Sequence, residues 1–419
     1  MLKDIFFGTN ASANIVLSVA IMLFSGFIVT RLTKRCKLPN VTGYILAGIL
    51  IGPYILNLIP GEIILGMDFI TDVALAFIAF GVGKYFRIKT LHESGARIII
   101  ITLFEALTAA VVVSLVMIFV FHLPVSFSIL LGAIGSATAP ASTIMTIRQY
   151  KAKGELVDTV LQVVALDDAV ALIAFSICAA ISVALSDNNG LQIGDIVTPL
   201  MVNLISIGLG ILAGFVLSRL INGRRSKDHK LVLVIATILT LTGFCTKYEV
   251  SPLLSCMVLG TAYINFTGDK TLFKQINNFS PPITLMFFVL SGLKLNLPSL
   301  RTAGIIGLTY FFVRIIGKCI GAYLGSRVGK ASPTIRAYLG LALIPQAGVS
   351  IGLASLGQRI LHGPMGTMLS TIILSSAVLY EMIGPACAKL ALILSGTIQP
   401  ETRKSEPKEK EPTDPPKNE

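Results

Sequence analysis

From Ala11 onward the chain is cut into apolar runs of roughly 17 to 30 residues, the helix length that spans a hydrocarbon core of about 30 Å. Thirteen such segments follow one another, at 11–31, 43–59, 67–86, 97–121, 126–147, 156–185, 196–221, 230–247, 251–265, 280–296, 303–326, 334–357 and 366–395. Little polar chain separates them. Only 13% of the 419 residues are charged and 54% are hydrophobic, against about 25% charged in a soluble protein. The pattern predicts an all-α membrane protein of about 13 transmembrane helices, spanning 1–398. Residues 399–419, rich in Pro, Lys and Glu, cannot build a core and are expected to form a disordered cytoplasmic tail. The first run lacks a small-residue cleavage motif, so it is expected to stay as a helix and not to act as a signal peptide.

The net charge of +12 does not point to nucleic acid, because the basic residues scatter over many loops. Their placement follows the positive-inside rule. With the N-terminus outside, the inside loops carry Arg31, Lys34, Arg35 and Lys37, then Arg87 and Lys89, Arg148 and Lys151, Arg224 and Arg225, Lys270 and Lys274, and Arg327 and Lys330. The loops at 122–127 and 186–195 have no Lys or Arg. An N-out, C-in, multi-pass protein of the cell (inner) membrane is predicted. The six cysteines and four histidines show no metal-ligand spacing, and no nucleophile–base set or phosphate loop is visible. An enzyme and a resident cofactor are therefore not expected.

Segments 5 and 12 are poor helices. Segment 5 holds Gly132, Gly135 and Ala137-Thr138-Ala139-Pro140; segment 12 holds Gly340 and Ile344-Pro345-Gln346-Ala347-Gly348. Proline removes a donor and clashes with the preceding turn. In lipid the freed backbone groups must be satisfied by protein or a wet cavity. Paired broken helices mark midplane ion sites in secondary transporters. Seven segments separate the two, so equivalent helices would run oppositely. That is an inverted repeat of helices 1–6 and 8–13, with helix 7 as connector and helices 5 and 12 as unwound crossing helices. Gly and Pro are frequent in membrane helices generally, so their placement alone leaves coincidence open.

Ionisable residues inside a membrane helix cost roughly 2.5–3.5 kcal/mol or more each. Asp167 and Asp168 sit side by side in segment 6, Glu105 in segment 4, Arg314 and Lys318 one turn apart in segment 11, Lys294 late in segment 10 and Glu381 in segment 13. Two adjacent carboxylates in a low-dielectric site share a proton, face a Lys or Arg, or bind a cation. Such a pair can exchange protons for metal ions by competition; the alternative is a helix cap or a structural pair with Arg314 and Lys318. Under the repeat, segments 4 and 11 are mates, so a structural ion pair between Glu105 and Arg314 would neutralise both. Lys gives up its proton readily when buried, whereas Arg does not, so a Lys318 facing Asp167 could release one. Glu381 reads as a structural anchor.

At these residues the sequence resembles the monovalent cation:proton antiporter superfamily, in its paired-aspartate branch. The run from Leu38 to Pro53 looks like that family's opening signature. Gly135-Ser136-Ala137-Thr138 looks like its first unwound crossover, Asp167-Asp168 like its ion-binding pair, and the run from Gly340 to Val349 like its second crossover, with Pro345 and Gln346 at the break. The resemblance implies Asp168 as the principal cation ligand and Asp167 pairing with a charge-balancing Lys318. Thr138 and nearby backbone carbonyls, Ala137 among them, would help bind the ion, Na+ on Asp168 and Asp167. It also implies a Glu105–Arg314 ion pair, a homodimer, a moving core of helices 4–6 and 11–13, and a scaffold and dimer panel of helices 1–3 and 8–10. Departures stand out. Ala139 replaces an Asp that many relatives carry after the crossover Thr, and Lys84 follows Gly83 where relatives often carry an acidic residue. A short tail also stands where potassium-efflux relatives carry a nucleotide-binding regulatory domain. The expected function is antiport of a monovalent cation, Na+ or Li+, for protons by alternating access. K+/H+ exchange is the alternative within the class, and a channel or an organic-anion symporter lies outside it.

Overall fold

The computed structural model describes residues 10–35, 40–139, 143, 146–147, 150–186, 193–221, 225–248, 250–295, 298–346 and 348–398. The expected tail from 399, Pro140 and Ala347 lie outside them. Among the described residues there are sixteen helices, and each of the thirteen apolar segments holds one helix or a broken pair. They are α1 (Ala11–Arg35), α2 (Asn40–Ile51), α3 (Gly61–Gly66), α4 (Asp68–Gly83), α5 (Ile88–Phe119), α6 (Val125–Ser136), α7 (Glu155–Ser186) and α8 (Ile193–Leu220). The second half comprises α9 (Lys227–Lys247), α10 (Pro252–Thr267), α11 (Thr271–Phe279), α12 (Pro281–Leu293), α13 (Ser299–Val328), α14 (Pro333–Ala342), α15 (Val349–Leu361) and α16 (Gly363–Leu394).

Eight of these spans are long and apolar enough to cross a membrane alone, and α11 with α12, bent by 49° at Ser280, makes a ninth. The shorter apolar helices α2, α6, α10 and α15 are short for a physical reason. A turn, a glycine or a proline stops each, and only packing against longer neighbours keeps its backbone ends from lipid. Both expected breaks occur. After Ser136 the chain leaves the helix at Ala137, which is extended (φ −66°, ψ 142°). In segment 12, α14 stops at Ala342 and α15 begins after Gly348, whose φ is +48°. A side chain with a Cβ resists that conformation, so glycine is required there.

The helix packing repeats under the exchange of segments 1–6 with 8–13. The α2–α12 contact has its counterpart in α4–α10, and α1–α2 in α9–α10. Glycines mark both members of the first pair: Gly48 faces Gly292, and Gly83 faces Gly260. The symmetry mates α5 and α13 form the most extensive helix pair of all. Along it Gly317 lies on Ala109, Gly321 on Glu105 and Gly325 on Ile101. Numbers rise on one helix as they fall on the other, so the two mates are antiparallel. Small residues at every fourth position let membrane helices approach this closely.

The helices sort into two groups. Helices α5–α7 and α13–α16 pack closely among themselves, as do α1–α4 and α9–α12. Between the groups contact is sparse, chiefly α16 on α2, α15 on α4 and α7 on α10. Among the described residues one ion pair bridges them, Arg359 Nη1 to Asp72 Oδ1 at 3.2 Å. It is partly exposed, and such pairs contribute about 0–1 kcal/mol. Asp72→Asn should therefore change unfolding free energy in detergent by no more than ~1 kcal/mol; a larger loss on chemical denaturation would show that the bridge holds the groups together.

Candidate functional site

The two breaks meet. Chain 137–139 from segment 5 crosses chain 343–346 from segment 12, and the amide of Ala139 donates to Pro345 O at 2.9 Å. A helix end leaves carbonyls without partners, and none of them can turn to lipid. Seven carbonyls at the two breaks find donors. Ile134 O accepts from Gln346 Nε2 at 2.9 Å and Gly135 O from Arg314 Nε at 2.7 Å. Ser136 O accepts from Lys318 Nζ, and Ala137 O from Arg314 Nη2 at 2.7 Å. On the opposing strand Ala342 O accepts from Thr143 Oγ1 at 3.0 Å, Leu343 O from Thr138 Oγ1 at 3.5 Å, and Ile344 O from Arg314 Nη1 at 2.7 Å. Tyr310 Oη, fully buried, donates to Gln346 Oε1 at 3.0 Å and orients that amide.

Arg314 is thus bound to both crossing strands, and the expected Glu105–Arg314 pair is replaced. The guanidinium spreads over three carbonyls and lies 4.7 Å from the centre of the Tyr380 ring. The reason is register. With Gly321 against Glu105 and Gly317 against Ala109, Lys318 stands level with Glu105, while Arg314 stands a turn further along, beside the crossover. A planar fork of five donors matches spread carbonyls better than a single ammonium would.

Glu105 pairs instead with Lys318, Oε1 to Nζ at 2.5 Å. Lys318 Nζ also donates to Thr138 Oγ1 at 2.8 Å and reaches Asp167 Oδ2 at 3.1 Å. Glu105, Asp167, Asp168, Arg314 and Lys318 are all buried to within 1%. Asp168 follows Asp167 along α7 and is buried with them. Oδ1 of Asp167 and Oδ1 of Asp168 are buried without hydrogen-bond partners. Both oxygens of Glu105 are likewise buried without a hydrogen-bond partner of good geometry; unpaired buried acceptors are costly, so this cluster of carboxylates marks a place for a proton or a cation.

Five buried charges on three helices, wrapped around two crossing unwound strands, make a transporter site and not a soluble enzyme's cleft. Residues 19–386 match the transmembrane sodium/hydrogen exchanger family. The chain belongs to that family. It is accordingly a multi-pass membrane transporter, not an enzyme. A relative, the probable Na(+)/H(+) antiporter 2 of Methanocaldococcus jannaschii, is 24% identical over 346 residues, covering 77% of this chain and 79% of that protein. The exchanger fold is also that of the sodium proton antiporter MjNhaP1 from the same organism. Its structure at pH 8 superposes with a TM-score of 0.74 at 21% identity, over 91% of this chain and 99% of that one. An electron-microscopy structure of the same protein gives 0.73 at 19% identity, over 92% and 99%.

Within this exchanger framework, the residues singled out from sequence fall into three sets. Asp167, Asp168, Glu105, Lys318 and Thr138 come together. Ala137, Pro345, Gln346 and Arg314 build the crossover around them. Lys294 lies elsewhere, paired with Asp68, and the side chain of Glu381 lies outside the described residues. Sequence reasoning missed Tyr310 and Tyr380, which look like ordinary membrane aromatics until the fold sets them against Gln346 and Arg314. It also missed Thr143 as a donor. It missed the glycines at 317, 321 and 325 too, although their four-residue spacing is a signal that could have found the face of α13 that meets α5.

Proposed function

We propose that this chain exchanges a monovalent cation, Na+ or Li+, for protons across the cell membrane. The observation that carries the reading is the pair of buried, unpartnered carboxylate oxygens of Asp167 and Asp168, beside an unwound crossover. Asp168 is the principal ligand and Asp167 the second, with Thr138 beside them; the Ala137 carbonyl, which accepts from Arg314, is taken up by the crossover. Protons and cation compete for the two carboxylates, since both cannot stay ionised in a dry site without a counter-charge. Alternating access comes from α5–α7 and α13–α16 moving as a core against a scaffold of α1–α4 and α9–α12. The sparse contact between the groups supports this. The working unit is a homodimer through the scaffold panel. The family, and the antiporter names of its relatives, support Na+ as the cation.

The test uses protein reconstituted into liposomes with an imposed pH gradient and a fluorescent pH reporter. Na+, Li+, K+ and choline are added in turn. Na+ or Li+ is expected to dissipate the gradient, and Asp168→Asn to abolish the response. A response to K+ alone would keep the mechanism and change the cargo. If no cation moved protons, or Asp168→Asn matched wild type, the antiport reading would fail.

A further inference from the structure

Two cavities lie along the seam between the helix groups, at the end of the bundle where α2, α9 and α15 finish. The first, of about 340 Å³, has Leu172, Phe175 and Ser176 of α7 and Leu353 of α15 on its core side, and Asp72 of α4 and Thr246 of α9 on its scaffold side. Asp168 stands four residues before Leu172, one turn away on the same face of α7, so this cavity approaches the aspartate pair to within a turn. The second, of about 520 Å³, sets Ser355 and Gln358 of α15 opposite Asn57 and Asp68 of the scaffold. Arg359 lines both cavities. Its ion pair with Asp72 stands where they meet, and crosses from core to scaffold. One turn earlier on α4, Asp68 is held inside the scaffold by Lys294; Asp72 reaches across instead.

A weak link at this place has little effect on stability and a large one on conformation. When the core moves against the scaffold, a pair that joins them exists in one state and is parted in the other. The side chains of Arg359 and Asp72 are 41% and 20% exposed, so their pair is too weak to hold the fold. A preference for one state still shifts the two populations by up to about fivefold. A link that shifted them by on the order of 10⁴-fold would trap a carrier in one state. A partly exposed pair is of the size that can be made and broken in every cycle.

We propose that Asp72 and Arg359 form the gate of the cation pathway at this face. Joined, they hold the core against the scaffold and close the way into the smaller cavity and on to Asp168. Parted, they open it. The proposal rests on the antiport reading above, since it needs a core that moves. Both residues act on the path to the aspartates and not on the ion at its site.

A single thiol in the wall of the smaller cavity reports the gate. Ser176→Cys is introduced with the six native cysteines replaced, and the protein, in lipid nanodiscs with both faces accessible, is treated with a water-soluble thiol reagent. Asp72→Asn and Arg359→Gln are each expected to raise the labelling rate about two- to fivefold. The double variant is expected to label no faster than either single one, because each change removes the same pair. Unchanged labelling in the single variants overturns the gate. So does a double variant whose effect is the product of the two, since the residues would then act separately. If one single variant does not fold, the labelling of the other decides. Labelling needs no transport, so the liposome assay on the wild type judges antiport separately. A wild type that moves no protons removes the antiport reading and the gate with it. Unchanged labelling in a protein that exchanges Na+ for protons removes the gate alone.

Discussion

Replacing Arg314 by methionine is expected to leave little folded, transport-competent protein. Methionine fills similar space but donates nothing. The carbonyls of Gly135, Ala137 and Ile344 would each lose their donor. All three belong to buried residues. An unsatisfied buried polar group costs about 1–3 kcal/mol, so the three together cost on the order of 3–9 kcal/mol. That rivals the whole stability of a typical domain, about 5–15 kcal/mol. The loss is concentrated where two unwound strands cross, and no helix hydrogen bonds remain there to share it. Arg314→Lys is expected to recover only part, because an ammonium cannot span three carbonyls that a guanidinium fork bridges. Thermal unfolding in detergent, followed by circular dichroism, reads the effect. A methionine variant that melts like wild type would mean that the crossover holds itself together.

Gly321→Leu is the second large effect. A Cβ at Gly321 would lie 2.6 Å from Phe104 O, 2.8 Å from Glu105 Cα and 2.9 Å from Thr108 Cβ. Two of these are backbone atoms, so no rotamer change relieves the contact. The α5 and α13 helices would have to move apart along the most extensive helix pair in the molecule. Overpacking typically costs 1–3 kcal/mol and sometimes more. Here it also moves Lys318 away from Glu105, which strands buried charges; breaking a buried pair costs about 3–5 kcal/mol. Loss of monodisperse protein on size exclusion is the expected result. Gly243 on α9 provides the control, because a Cβ there meets nothing within 4 Å. Gly243→Ala should be neutral or gain about 0.5–1 kcal/mol from helix propensity. Equal damage from both substitutions would refute the close-approach argument.

Much of the architecture was legible before any coordinates. Hydrophobic run length announced the helices, because lipid admits no other way to satisfy a spanning backbone without a closed barrel. Pro140, Pro345 and the glycines near them pointed to the broken segments, and the odd separation of those segments raised the inverted repeat whose mates α5 and α13 are antiparallel. The aspartate pair was legible because two adjacent carboxylates are too costly in a membrane helix to be incidental. The expectation that Glu105 and Arg314 would pair came from the same economy of charge. It named the correct helices and the wrong partner. Burying a charge demands some compensation, and sequence alone cannot say whether a carboxylate or a set of carbonyl dipoles supplies it.

What the sequence determined by itself, then, was the solvent and the period of the chain: helices of membrane length, two breaks, and a small set of buried ionisable residues. Those follow from local rules, since segment length, proline and charge act within a few residues of where they stand. Only the tertiary structure decided the pairings. The register of α5 on α13, set by Gly317, Gly321 and Gly325, slides Lys318 against Glu105 and leaves Arg314 to the crossover. One turn of a helix is a rise of about 5.4 Å, more than the reach of a hydrogen bond. Which acid meets which base is therefore fixed by how closely two backbones pack, not by which charges the segments carry.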